Sequence, residues 1–193
     1  SYATGSVTLG ASSDQVGGLA GTNTGAVSQS YSTGNVTVGT SARSVGGLIG
    51  QDSGTVSNSN STSALSIGNG SGGTFYTNTG GGVGGLIGYS YNDTISSSHS
   101  TGTVTVNGTA FQVGGLIGQS NNSIITKSFS SSNISVSGTA SYVGGFVGNT
   151  NRTAITNAYA TGGINVATSG STKVAGFVGN AYSSGTVITN AYA

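Results

Sequence analysis

The chain has 193 residues, of which 37 are Gly and 4% are charged, with no Pro, Cys, Met or Trp. A net charge of +1 with no basic cluster argues against a phosphate-neutralising, nucleic-acid-binding surface, and no apolar run approaches the roughly 20 residues that span a bilayer. Lack of Cys excludes disulfides and thiolate metal sites.

A Gly/Ser-rich, charge-poor composition is also that of disordered linkers. The apolar residues argue otherwise, because they recur at fixed places. The first segment, SYATGSVTLG (1–10), is followed by VGGLAG at Val16. The same pair returns as YSTGNVTVG (31–39) with VGGLIG at Val45, then GTVSNS (54–59). A degenerate opening, NSTSALSIGNG (60–70), and a Gly-rich insertion, 71–82, precede the third VGGLIG-type box at Val83, which is followed by TISSS (94–98). HSTGTVTVNG (99–108), the box at Val113 and IITKS (124–128) come next. FSSSNISVSG (129–138), VGGFVG at Val143 and AITNA (154–158) follow. The last unit reads YATGGINVATSG (159–170), VAGFVG at Val174 and VITNA (187–191). The box valines are 29, 38, 30, 30 and 31 residues apart, and the insertion accounts for the 38.

A period near 30 defines a repeat architecture. Each segment is short, β-branched and bounded by Gly, Asn or Ser, as strands are. Gly within every segment and the missing 3.6 period exclude helices. The predicted fold is all-β: a parallel, right-handed β-solenoid of about six coils, with about three short strands per coil. At about 4.8 Å per coil, six coils make a rod about 29 Å long. The units run 1–29, 30–59, 60–98, 99–128, 129–158 and 159–191, a single domain that reads as part of a longer array or fibre. No atypical capping sequence is visible at either end, so end-to-end stacking with itself or with flanking repeats is expected.

In the opening strands Val7/Leu9, Val36/Val38, Leu65/Ile67, Val104/Val106, Ile134/Val136 and Ile164/Val166 share one parity and should stack inward. In the box, Val and Leu are three apart, so no straight strand turns both inward. The Gly pair is expected to bend the chain there through backbone angles other residues resist. Each box then supplies a corner and a core residue.

The recurring G-L-hydrophobic-G, as GLAG (18–21), GLIG (47–50, 85–88, 115–118) and GFVG (145–148, 176–179), resembles the GLUG motif. So do the Y-A-T-G opening and the I-S/T-N-S/A closing. The resemblance spans essentially the whole chain and implies a segment of a large secreted bacterial surface protein, such as a filamentous haemagglutinin-like adhesin. It supplies no catalytic residues.

The chemistry-bearing residues are few. Three Asp (14, 52, 93), no Glu and one His (His99) give no enzyme constellation. Asp52 and Asp93 both follow a box in neighbouring units and are placed to approach each other, either as turn formers or as a carboxylate pair for glycoside cleavage. No metal site, cofactor or catalytic residue is expected.

Alternation turns Thr4, Ser6, Thr8, Thr33, Asn35, Thr37, Thr101, Thr103 and Thr105 outward, with their counterparts in other units, as a flat polar lattice. It reads as a solvated face, a carbohydrate- or host-surface-binding face, a subunit interface or an ice-binding plane. Tyr2, Tyr31, His99, Phe129, Tyr159 and Tyr192 form an aromatic column. Strict alternation puts it on the polar face, and a corner before Ala3 or Ser32 would bury it. Sequons at Asn35, Asn60, Asn69, Asn92, Asn107, Asn121, Asn133 and Asn151 are glycosylation candidates. The functional expectation is a non-catalytic extracellular or cell-surface stalk, fibre or adhesin segment. The alternatives are a self-assembling filament subunit and an ice-binding protein.

Overall fold

A computed structural model describes residues 1–69, 81–167, 170 and 173–193. Most of the predicted 71–82 insertion therefore lies outside the described residues. Within them every element is a β-strand, and each strand pairing is parallel and joins equivalent positions of successive units. The chain is a parallel β-solenoid of about six coils.

The three predicted segments per coil resolve into finer pieces. The opening segment gives two strands, such as Tyr31–Ser32 and Val36–Val38. The box gives two more, Val45–Gly46 and Ile49–Asp52, and the closing segment gives Thr55–Ser57. Stacked, they form four sheets. The opening and closing strands share the largest of them, because the residue between them adopts a left-handed conformation in each coil: Gln29, Asn58, Ser97, Lys127, Asn157 and Asn190 all have φ between 46° and 54°. Asn is the commonest residue there, as its short amide tolerates that region.

The aliphatic columns are where alternation placed them. Val36, Val38, Leu65, Ile67, Val104, Val106, Ile134 and Val136 are buried, and Val7, Ile164 and Val166 in the outermost coils pack against them. One core lies between these residues and the box valines Val16, Val45, Val83, Val113 and Val143. A second core joins Leu48, Leu86, Leu116 and Phe146 of the boxes to Val56, Ile95, Ile125 and Ile155 of the closing strands. The box therefore serves two cores, with its Val facing one and its Leu or Phe and the next residue facing the other. That is the reason for three-residue spacing where a strand would demand two.

The bend between them is present, between Gly46 and Ile49 in the second coil. Its cause differs from the expectation. No box glycine has a left-handed φ; among the described glycines only Gly108 does, at 126°. The box glycines are required by space instead. A Cβ on Gly46 would collide with the Ile49 carbonyl of the same bend and sit 2.8 Å from the Gly88 nitrogen of the next coil. A Cβ on Gly47 would meet the Gly85 carbonyl and the Ser61 hydroxyl. Two backbones and a side chain approach closely here, which favours Gly; in the last box Ala175 stands at the first of the two positions.

Candidate functional site

The opening strands turn an ordered polar face outward. Its geometry follows from strict alternation: Tyr31, Thr33, Asn35 and Thr37 are exposed, while Ser32, Gly34, Val36 and Val38 between them are buried. Register then stacks like on like, as Thr8, Thr37, Ser66, Thr105, Ser135 and Asn165 in one column and Thr103 beside Asn133 in another. Of the predicted face, Thr4, Ser6, Thr8, Thr33, Asn35, Thr37, Thr101 and Thr103 are exposed and Thr105 is half-buried. The lattice has a shallow depression of about 340 Å³ at Gly163, lined by Thr103, Thr105, Asn133, Ser135 and Asn165 among others. There the Asn133 side-chain oxygen accepts the Gly163 N–H at 2.8 Å.

The aromatic column is on this same outer side. Tyr2 and Tyr31 are exposed, and His99, Phe129 and Tyr159 are half-buried. No corner turns them in. Their rings stack nearly parallel, His99 on Phe129 at 4.5 Å and Phe129 on Tyr159 at 4.8 Å. Burial holds the His99 imidazole below its ordinary pKa.

Sequence reading missed what lies beneath. Ser30, Ser59, Ser98 and Ser128 are buried and form a hydrogen-bonded ladder. Each hydroxyl donates to the carbonyl two residues back, at 2.8 Å. Each of Ser59, Ser98 and Ser128 also accepts, through that hydroxyl, the backbone N–H of its counterpart in the preceding coil at 3.2 Å. A second column, Ser32, Ser61, Ser100 and Ser130, packs against the second box glycines: Ser32 donates to the Gly47 carbonyl at 2.7 Å and Ser100 to that of Gly115 at 2.5 Å. The available signal was the restriction of both positions to Ser or Ala, since Ala158 and Ala160 replace Ser in the fifth turn of the ladder.

Asp52 and Asp93 do meet, but in the interior. Asp52 is fully buried and Asp93 nearly so. Asn23 donates its amide N–H to Asp52 at 2.5 Å, and Ser90 donates its hydroxyl to Asp93 at 2.8 Å. The carboxyls are within hydrogen-bonding reach of each other, and the Oδ2 of each has no donor. Burial raises both groups, and the neighbouring Asp52 helps push Asp93 up to about 8. One proton between them completes the pair. A glycoside bond has no access to carboxyls placed this way. The third acid, Asp14, pairs at the surface with Arg43 at 3.7 Å, a contact of little energetic weight. Among the described residues no cluster of three metal-ligating side chains occurs.

Of the sequon asparagines, Asn35, Asn69, Asn92, Asn107 and Asn133 are exposed, and Asn60 and Asn151 are half-buried. Asn121 is buried and donates its amide to the Tyr89 hydroxyl at 3.1 Å.

All six box valines stand in one register, from Val16 through Val45, Val83, Val113 and Val143 to Val174. Three stretches of the chain, 12–37, 79–105 and 139–166, match the GLUG motif. Three of the six units thus hold a stretch similar to the GLUG motif. Each matched stretch runs from just before a box into the opening strand that follows it. In each matched stretch, then, the box sets two cores and the next strand displays the polar lattice. No curated protein and no solved structure matches the chain.

Proposed function

We propose that this GLUG-repeat solenoid is a non-catalytic structural and adhesive rod of an extracellular or cell-surface protein. The observation that carries this reading is the outward lattice of hydroxyls and amides, held in register by the aliphatic columns beneath it. A surface so poor in charge contacts its partner by hydrogen bonds and shape, and many equivalent weak contacts add through their fixed spacing. A carbohydrate coat, itself a repeating array of hydroxyls, is the matching partner class. Ice templating fits less well, because the columns mix Thr, Ser, Asn and Gly, as in Thr105, Ser135 and Asn165.

The test is retention of the rod on polysaccharide-coated surfaces. The parent protein is expected to be retained, and a Thr37→Lys/Thr105→Lys variant to be washed off. Equal retention of the two, or no retention of the parent on any coat, would remove the adhesive reading.

A further inference from the structure

The aromatic column conceals its ring faces. Tyr2 on Tyr31, His99 on Phe129, Phe129 on Tyr159 and Tyr159 on Tyr192 stack with centroids 4.5–5.4 Å apart and planes 3–11° from parallel. Rings stacked along the rod turn their edges to solvent and their faces to each other. A sugar stacks on a face, so a continuous column offers it nothing.

The column is broken once. Asn60 stands in register with Tyr31 on one side and His99 on the other. Tyr31 and His99 are therefore two strand spacings apart, about 9.6 Å. The Asn side chain is shorter than either ring, so the outer parts of two facing ring surfaces are left uncovered. Tyr31 is 39% exposed, although Tyr2 covers its other face; His99, the opposite wall, is half-buried.

We propose that the interruption at Asn60 is a binding slot for a single hexopyranose ring. The spacing selects the ligand. A flat aromatic group touching both walls at about 3.5–4.0 Å spans only about 7–8 Å. A pyranose chair is thicker, because its carbons are staggered and its axial hydrogens stand off both faces. Those C–H groups meet the electron-rich faces of the rings. The equatorial hydroxyls point sideways, toward the Asn60 amide at the floor and the exposed Thr33, Thr62 and Thr101 beside it. The Asn60 amide offers two donors and an acceptor.

This inference rests on the adhesive reading and names the ligand class for one point of the same face. Asn60 also heads a sequon with Thr62, so the experiment uses protein made without glycosylation, and an Asn60-linked glycan is kept out of the slot. Saturation-transfer NMR is recorded with methyl β-D-glucopyranoside, methyl β-D-galactopyranoside and methyl α-D-mannopyranoside as probes. At least one is expected to receive saturation at its axial ring protons. That signal should vanish in Asn60→Phe, which closes the gap with another stacked ring and should raise Tm, so loss is not unfolding. It should weaken in Tyr31→Ala, which removes one wall. Equal transfer to the parent and Asn60→Phe would overturn the proposal, as would no transfer to any probe, or stronger binding of indole than of the sugars. The two readings separate cleanly. An Asn60→Phe rod that is still retained on polysaccharide but gives no sugar signal shows a slot that is dispensable to adhesion. Sugar binding without retention of the parent would leave the slot and remove the adhesive rod.

Discussion

Asp93 reaches across one coil boundary to the carboxyl of Asp52, and the two share a buried site. Such a pair holds one proton too many for neutral water and one charge too many for a dry interior. Its single charge is answered by the Asn23 amide at 2.5 Å and by the backbone at Gly54.

Stability is expected to depend on pH in an unusual sense. Asp93 titrates near 8 in the folded chain and near 3.9 when unfolded. The folded state therefore holds the proton that the unfolded state has lost. Its contribution is fully present below about pH 4, declines as pH rises, and is gone above about 8. His99 acts in the opposite sense, because its folded pKa is lowered; its contribution grows as pH rises toward 6.5. Guanidinium unfolding of the parent and of Asp93→Asn between pH 4 and 9 isolates the carboxyl. The parent should lose stability across that window relative to Asp93→Asn, and parallel curves would show that no proton is shared.

Two glycine substitutions should behave oppositely. A Cβ on Gly85 would strike the Gly115 carbonyl and lie 3.0 Å from the Ser100 hydroxyl, so Gly85→Ala should cost roughly 1–3 kcal/mol or more. A Cβ on Gly163 would meet only the Asn133 side-chain oxygen, at 3.5 Å, so Gly163→Ala should stay within roughly 0.5 kcal/mol of the parent. Urea midpoints of the two variants decide this; matching losses would contradict the crowding account.

The serine ladder predicts a paired result. Ser98→Ala deprives the Ser59 N–H of its acceptor and should cost roughly 1–3 kcal/mol. Ala158→Ser extends the ladder by one rung, offers the Ser128 N–H an acceptor, and should add roughly 0.5–1.5 kcal/mol. Thermal unfolding of both variants checks the sign of each.

Lattice substitutions should separate binding from folding. Thr37 is exposed and Thr105 half-buried on the outer face, so Thr37→Lys and Thr105→Lys should each shift stability by about 0.5 kcal/mol or less while weakening surface retention. A folding defect in either would mean that the face is packed rather than displayed.

Much of this was legible from residues alone. Period-2 alternation placed Val36, Val38, Leu65 and Ile67 inside and Thr33, Asn35 and Thr37 outside, because a strand permits only those two choices. The same alternation, carried back unbroken to Tyr31, puts the aromatic column outside; an imagined corner was the only reason to doubt it. The meeting of Asp52 and Asp93 was legible from their positions after successive boxes, but its depth was not. Alternation fails across the Gly pair, so parity cannot be carried from Val45 to Asp52. The division into two cores was hidden for the same reason. The Ser columns were overlooked because Ser is read as a surface residue, and only the register reveals that its hydroxyls repeat inside a backbone ladder.

Among the described strands the longest connection runs from Ile67 to Val83. Ile67 pairs with Val38 and Val83 with Val45, so both flanks of the third unit's longer connection hold the common register. The strands on either side are held by their neighbours above and below, and neither depends on the length of chain between them. Shorter length differences are absorbed elsewhere in the same way, as between Val166 and Val174, one residue longer than between Val136 and Val143 with the register kept. The connection between Ile67 and Val83 is thus a graft point: a foreign peptide spliced there would leave the paired strands on both flanks in their common register.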